Sequence, residues 1–386
     1  KGLKNRKNRY FCMLRMNYKS RELEEVFGDS RLEARHQKLV LSLSQGFGES
    51  LCSKQWLPSA TKGMYRFFAN EQVTPEKQLH SYEKEVENVL KTQKRILHLT
   101  DTTEFDYTGK RNEQELGQLN YTERRGMQLH SSLLTDTTGV PISILGQSYH
   151  TRTLGAGKKS RDEDFETKES YRWKEHMDLG SQLAKQNPDC EIIYVADREA
   201  DMIELFQARK EPNHHFIIRS LHNRKLAENS GKLFEALERA PFGAIVWVQA
   251  THPVTGKPRP ALVEIRFLPV VFQQNRKIVR KTNRTKISLF AILAKEINAP
   301  EDVSPILWRL ITTLPIESAG DAVEFTRYYA LRWVQERFHF LLKSGGANVE
   351  SFQLKNLHRL KNAITCSSMA ALNALKIHYK AKNQPE

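Results

Sequence analysis

The first hundred residues carry apolar side chains at helical spacing. Segment 20–45 has this pattern with an interruption at Gly28 and Asp29, and Pro58 with Ser59 marks the start of a further helical segment. Glycine often ends helices, whereas proline and serine favour their first turn. The pattern therefore predicts a compact all-α unit over residues 22–92.

From residue 93 the pattern changes to short apolar runs that are typical of strands. The expected elements are a strand in RILHLTDTT, two strands around the turn at 136–139, a helix ending before Pro188, a strand in CEIIYVAD, a helix in ADMIELFQAR and a strand in HHFIIRS. The run before Asp197 is almost wholly apolar, as expected for a strand buried on both faces. We predict an α/β fold with a mixed sheet over residues 93–221.

Residues 222–315 break this alternation of strands and helices. Four apolar runs follow one another, separated by proline, glycine and charge clusters: GAIVWVQATH, ALVEIRFLPVVFQ, KISLFAILAKEI and ILWRLITTL. They predict an antiparallel, β-rich insertion. Residues 316–386 then return to the core, with a helix over 320–344 and one or two more helices over 352–382.

The charge of the chain indicates a polyanionic partner. Among 386 residues there are 60 Lys or Arg and 45 Asp or Glu, a net charge of +15. Residues 1–21 hold eight Lys or Arg and no acid, which predicts a flexible basic arm, and 276–286 holds six more. Nucleic acid is the leading candidate partner, although some basic proteins bind no polyanion and 276–286 could be a solvated loop.

Composition also excludes several classes of protein. Hydrophobic residues make up 39 % and charged residues 27 %, which indicates a globular chain. The four cysteines form no C-x-x-C pair, so neither a zinc site nor a disulfide framework is expected. No apolar run approaches a membrane span, and no secretory signal is present. We expect a cytoplasmic protein without a membrane partner, and Met13 or Met16 could be the natural start.

Two aspartates follow apolar strands. Asp101 shares strand parity with Leu97 and Leu99, where a carboxylate is costly unless a cation compensates it. The competing interpretation is a strand-end turn with Thr102 and Thr103. Asp197 closes its strand at the edge where α/β proteins gather ligands, but it could equally be the cap of the next helix.

Glu336 lies in the predicted helix YALRWVQERFHFLLK. At about 100° per residue, Tyr329, Arg332, Glu336 and Lys343 share a stripe about 60° wide. The opposite side is apolar, with Val334, Phe338 and Leu342 among its members. A solvated face with an Arg–Glu pair is the simpler alternative. Three carboxylates without a Cys or His cluster favour two Mg²⁺ or Mn²⁺ ions over zinc, as in two-metal phosphodiester chemistry.

These residues resemble a known family. The run Tyr-x-x-Arg-x-x-x-Glu-x-x-x-x-x-x-Lys over 329–343 is similar to the Y-R-E-K signature of bacterial insertion-sequence transposases. More specifically, it resembles the insertion-sequence-four group, which includes the transposon-five transposase. The segments LTDTTEFDY and VADREADMIEL resemble those carrying the first and second catalytic Asp of that group. FGDSRLEAR and MYRFFANEQV resemble its N-terminal DNA-binding domain, so the similarity spans about residues 24–380.

The resemblance implies an RNase H-like catalytic core with a β-rich insertion and an N-terminal all-α DNA-binding domain. It assigns Asp101, Asp197 and Glu336 to catalysis and to two Mg²⁺ or Mn²⁺ ions. The DNA-binding residues that it implies are Tyr329, Arg332, Lys343, Trp308, Arg219, Arg31, Arg35 and Arg66. Trp308 would stack on a flipped base, or it could be a core residue of its strand. The arginines could instead be ordinary solvated charges or surface ion pairs.

The function implied is cut-and-paste DNA transposition at terminal inverted repeats: strand cleavage, hairpin formation and strand transfer into target DNA by a homodimer on double-stranded DNA. A bacterial cytoplasmic, nucleoid-associated location follows. Transposon-five-type enzymes carry a further C-terminal pairing domain, and this sequence stops soon after NALKIHYKAK. The alternatives are a truncated, non-catalytic DNA-binding remnant that inhibits transposition, and an RNase H-type nuclease.

Overall fold

The computed structural model describes most of the chain and is α/β, with a mixed multi-stranded sheet, further helices and a helical N-terminal region. The described residues are 26–49, 51, 57–110, 115–121, 123–152, 164–208, 211–227, 231–251, 258–272, 286–301, 303–354 and 356–383. They form two compact units. The first takes in residues up to Gln93, Asp101–Lys168 and Trp333 onward, and the second takes in Lys94–Thr100 and Glu169–Arg332. The domain boundaries predicted above stay predictions.

The first unit combines the N-terminal helices, a group of strands and the last helices of the chain. Its helices are α1 (Ser30–Gln45), α2 (Pro58–Phe68), α3 (Pro75–His80) and α4 (Glu83–Leu90), with two C-terminal helices at Trp333–Lys343 and Leu357–Asn383. Its strands are the second half of β1 (Arg95–Asp106), with β2 (Gly117–Gln118), β3 (Arg125–Thr135) and β4 (Pro141–His150). Helix α2 begins at Pro58, as the sequence pattern predicted, and α1 begins at Ser30, directly after the interruption at Gly28 and Asp29.

The hairpin of β3 and β4 forms as predicted. Asp136 Oδ1 accepts hydrogen bonds from the backbone N–H groups of Thr138 and Val140, both at 2.9 Å. Gly139 has φ +87°, which a side chain would disfavour. The turn residues therefore fix the register of β3, the strand that carries His130 and Ser131.

The second unit contains most of the mixed sheet. Its remaining strands are β5 (Glu191–Ala196), β6 (His214–Arg219), β7 (Phe242–Thr251), β8 (Pro258–Phe272), β9 (Ile287–Ile297) and β10 (Leu307–Thr312). Its helices are α5 (Tyr171–Gln186), α6 (Ile203–Gln207), α7 (Leu233–Arg239) and α8 (Ala319–Ala330). We number the two C-terminal helices α9 (Trp333–Lys343) and α10 (Leu357–Asn383).

Strand order in the second unit is β1-β5-β6-β10-β9-β8-β7. The first three strands run parallel, and the last registered pair of β1 and β5 is Leu99 with Val195. The others pair antiparallel. The four consecutive strands predicted over 222–315 are thus confirmed, and they continue the same sheet through the β10–β6 pairing.

Two predicted helices differ from the structure. The helix expected over 320–344 is interrupted, because the N–H of Arg332 bonds to the carbonyl of Tyr329 three residues back, at 3.0 Å. Such tight turns end helices, so α8 stops at Ala330 and α9 begins at Trp333. The prediction of one continuous helix with a single stripe was therefore wrong for these four residues: Tyr329, Arg332, Glu336 and Lys343. Glu336 and Lys343 lie on α9, whereas Tyr329 and Arg332 precede it.

The helix expected over ADMIELFQAR is shorter than predicted. Met202 has an extended backbone (φ −126°, ψ 139°), and α6 covers only Ile203–Gln207. The cause is tertiary, since the carboxylate of Asp201 is bound to the segment that follows β6.

Candidate nucleic-acid interface and acidic residues

The three arginines predicted to bind DNA in the helical region are exposed. Arg31 and Arg35 lie on α1, and Arg66 lies in the last turn of α2. The first turn of α1 is fixed by its cap, because Asp29 Oδ1 accepts a hydrogen bond from the N–H of Arg31 at 2.8 Å. That bond lowers the pKa of Asp29. The cap therefore holds the start of the helix from which Arg31 and Arg35 project.

An aromatic cluster joins α1 to α2. The His36 ring stacks on Phe67 with centroids 5.7 Å apart, and Phe27 meets both rings edge-on. Burial lowers the pKa of His36 to about 3, so this ring is neutral at physiological pH. A Cβ atom at Gly63 would lie 2.0 Å from Arg35 Nη1, so the guanidinium of Arg35 lies close against α2 at this glycine. The aromatic packing thus holds α1 and α2 together.

In the second unit, four of the predicted residues gather around a fifth, Tyr329. The Trp308 ring lies edge-on to Tyr329, with centroids 5.2 Å apart, and Arg332 Cζ lies 6.0 Å from the Tyr329 centroid. Burial raises the pKa of Tyr329, and the nearby charges of Arg332, Arg219 and Asp197 also act on its hydroxyl. Strands β5, β6 and β10 and the end of α8 thus bring together a carboxylate, two guanidinium groups and two aromatic rings.

The structure gives Trp308 and Arg219 defined neighbours on the sheet. Trp308 is half-buried on β10, where it pairs with Ala294 of β9. Arg219 donates to the carbonyl oxygen of Leu307 at 3.0 Å, so its guanidinium is held beside Trp308 by a neutral backbone group.

Asp197 caps a short helix, as one of the two sequence interpretations proposed. Its Oδ1 accepts a hydrogen bond from the N–H of Glu199 at 2.8 Å and starts the 3-10 turn Arg198–Ala200. The Glu199 carboxylate pairs with the buried Arg172 at 3.2 Å. The carboxyl end of β5 is therefore held in one conformation, with the side chain of Asp197 fixed by its own turn.

Asp201 is a structural anchor that the sequence pattern did not reveal. Its buried carboxylate accepts from the N–H groups of Leu221 and His222 at 2.6 and 2.8 Å and pairs with the Arg224 guanidinium. These contacts tie the segment after β5 to the segment after β6. Asp197 and Asp201 lie in the same charged run, and nothing local in the sequence distinguishes the half-buried cap from the buried anchor.

In the first unit, β1 and β3 place Asp101 on a defined face of the sheet. Thr102 Oγ1 and His130 Nδ1 are 2.8 Å apart, so these side chains share one face of the adjacent strands. Successive side chains alternate between faces, and Asp101 and Ser131 therefore lie on the other face. Ser131 Oγ is 2.6 Å from Gln335 Nε2 and 3.0 Å from His339 Nε2. Helix α9 thus covers the face that carries Asp101.

Glu336 follows Gln335 on this same helix. The predicted apolar side of α9 is confirmed, since Val334, Phe338 and Leu342 are buried. Lys343 lies 3.6 Å from Glu350, in an ion pair that is partly exposed. Asp101 and Glu336 are therefore brought to one side of the strands in the first unit, while Asp197 belongs to the second unit.

The donor chemistry of the three carboxylates fits hard divalent cations. Both aspartates accept a hydrogen bond from a backbone N–H: Asp101 from Thr102 at 2.8 Å and Asp197 from Glu199. Within the described ranges, no three His, Cys, Asp or Glu side chains form a group that could hold a metal ion. A metal site at these residues is therefore a proposal.

Other predictions fall partly or wholly outside the described residues. The basic arm at 1–21 does so, and so does the basic stretch 276–286 except for the exposed Lys286. Among the helices that the structure describes, none is long and apolar enough to cross a membrane.

Comparison with known protein families identifies the helical region. Residues 15–73 match the family described as transposase DNA-binding. The match includes α1 and α2, and with them Arg31, Arg35 and Arg66. It supports a transposase that binds DNA.

Proposed function

We propose that this protein is a DDE-type transposase of the insertion-sequence-four kind that cuts and rejoins DNA at the terminal inverted repeats of its own element. The observation that carries the proposal is the transposase DNA-binding match at residues 15–73. The proposed DNA cleavage is supported by the residues grouped around Tyr329, which are Asp197, Arg219, Trp308 and Arg332.

The proposed catalytic residues are Asp101, Asp197 and Glu336, in an RNase H-like core. Asp101 lies on β1, and Asp197 directly follows β5. Glu336 lies on the helix that covers the face of Asp101. Two Mg²⁺ or Mn²⁺ ions held by these carboxylates would supply activation of a water or 3′-hydroxyl and stabilisation of the leaving oxygen.

The other residues have binding and positioning roles in this proposal. Arg31, Arg35 and Arg66 hold the terminal repeat through its phosphates and base edges. Arg219 and Arg332 neutralise phosphates beside the cleaved strand, and Lys343 contributes a further positive charge. The edge-on contact with the buried Tyr329 ring fixes the Trp308 indole, which is then ready to stack on an unpaired base.

Cleavage of defined DNA tests this proposal. The full chain is incubated with Mg²⁺ or Mn²⁺ and a duplex that bears the terminal repeat flanking its gene, alongside a duplex with a scrambled repeat. We expect nicking at the repeat end followed by a hairpin product, and no cutting of the scrambled duplex. Binding without cleavage would instead indicate a DNA-binding remnant. Cutting of both duplexes alike would indicate a general nuclease.

A further inference from the structure

Strand β7, the last strand in the order of the second unit, presents large apolar side chains to solvent. Phe242 is 61 % exposed, Ile245 49 % and Trp247 67 %. These three pair with Arg266, Glu264 and Leu262 of β8, which alternate along that strand. They therefore project from one face of the sheet, and we call them the β7 patch.

The two faces of β7 differ. On the face opposite the β7 patch, Val263 and Ile265 of β8 are fully buried, and α8 packs against both strands. On the patch face, α7 reaches β8 and β9 through Glu238, whose carboxylate lies 3.1 Å from Lys295 Nζ. The aromatic and aliphatic side chains of β7 stay exposed beyond it. An apolar cluster of this kind on an edge strand is a mark of an interaction site.

The electrostatics of the β7 patch disfavour DNA as its occupant. Residues 242–251 include no Lys, Arg, Asp, Glu or Pro, although the chain carries a net charge of +15. The neighbouring Glu264 and Arg266 pair with each other at 2.5 Å and so cancel. A neutral surface does not attract phosphates, and like charges do not oppose its meeting with an identical surface.

We propose that β7 is the surface through which two copies of this chain associate, with the two β7 strands running antiparallel. Antiparallel pairing of a strand with its own copy has two-fold symmetry, so one surface serves both partners. It gives hydrogen-bond partners to the outer edge of β7 and buries Ile245 and Trp247 against their equivalents. This proposal stands on the second unit alone and does not depend on the catalytic role of any residue.

Sedimentation velocity over a range of concentrations tests the interface in the full chain without DNA. We expect reversible dimers in the wild-type protein. Trp247→Lys should raise the dimer dissociation constant about thirtyfold, as expected for loss of a central aromatic contact. Tyr121→Lys, which makes the same charge change at a 70 % exposed aromatic of the first unit, should leave it unchanged.

Two further experiments separate loss of the interface from loss of folding. Gln249→Lys changes an exposed polar residue on the same face, so it should weaken the dimer while leaving the thermal unfolding curve unchanged. An equal mixture of Trp247→Lys and Trp247→Glu chains should associate more tightly than either variant alone, because opposite charges then meet. A wild-type protein that is monomeric at every concentration would overturn the proposal. So would dimers that Trp247→Lys and Gln249→Lys leave unchanged, or a Trp247→Lys variant that loses only DNA binding.

Discussion

The two units hold their candidate catalytic carboxylates in different ways. In the second unit, Asp197 lies four residues before Asp201, a buried charged anchor that binds two backbone N–H groups and Arg224. In the first unit, Glu336 follows Gln335, a neutral amide that donates to the Oγ and carbonyl oxygen of Ser131.

The two anchors differ in how much folding free energy is lost when each is removed. Removing one partner of a buried ion pair leaves an uncompensated charge, which costs far more than a lost neutral hydrogen bond. The support in the second unit should therefore control folding. The support in the first unit should mainly control the position of α9, because its loss leaves no buried charge.

The largest expected effect is the loss of stability when the charged anchor Asp201 is removed. Asp201→Ala should lower the free energy of unfolding by about 3–5 kcal/mol, because Arg224 loses its buried partner. Asp197→Ala removes a helix cap in the same run and should cost only about 1 kcal/mol. Urea denaturation of both variants measures the contrast. Equal losses would remove the distinction between anchor and cap.

The neutral anchor should affect catalysis more than folding. Ser131→Ala removes the Oγ contacts to Gln335 and His339 and leaves only the backbone carbonyl as an acceptor for Gln335. We expect end cleavage to fall about tenfold with end binding unchanged. The matched control is Ser181→Ala, since Ser181 makes a similar buried bond to His214 at 2.8 Å in the second unit. Single-turnover cleavage at saturating enzyme should separate the two. A control that slows cleavage as much as Ser131→Ala would contradict a specific role for the α9 anchor.

Acid should destabilise the helical region, because the buried His36 lies between α1 and α2. Because the folded-state pKa of His36 is about 3, below its unfolded value near 6.5, the unfolded chain binds the extra proton. The associated stability is complete above pH 6.5 and is lost as the pH falls toward 3. The loss reaches about 2 kcal/mol at pH 5. His36→Phe should reduce this slope in unfolding experiments between pH 7 and 5, and an unchanged slope would locate the titrating group elsewhere.

The smallest effect concerns single DNA contacts. Arg66→Ala should weaken binding of the terminal repeat by about 1 kcal/mol and reduce the salt slope by about one. Lys185→Ala removes an equal charge from an exposed position of α5 and is the matched control. Fluorescence anisotropy at several salt concentrations measures both. The assignment of Arg66 fails if the two variants bind alike.

Local chemistry was sufficient to predict much of the fold from the sequence. Three predicted features depend on residues close in sequence and are present: the helix start at Pro58, the 136–139 turn and the antiparallel strands. The interruption at Leu331 and Arg332 was not predictable from apolar spacing, which continues through it. The role of Asp201 was also hidden, because its partners lie about twenty residues further along the chain.

The candidate site was also predictable only in part. Motif resemblance selected Asp197, Arg219, Trp308, Tyr329 and Arg332, and the second unit brings them together. The supports on β3 were not selected, since His130 and Ser131 look like ordinary strand residues until Thr102 and Gln335 are placed beside them. Catalytic roles for the three acids stay a prediction.

Cleavage by the three acid variants tests the central claim most directly. Asp101→Ala, Asp197→Ala and Glu336→Ala are compared with wild type on the terminal-repeat duplex in Mg²⁺, with Glu166→Ala as an exposed control. We predict that each of the three loses nicking by at least about 10²–10³-fold while end binding is retained, and that Glu166→Ala cuts normally. Wild-type cleavage rates in Asp197→Ala, or in either of the other two variants, would contradict the account.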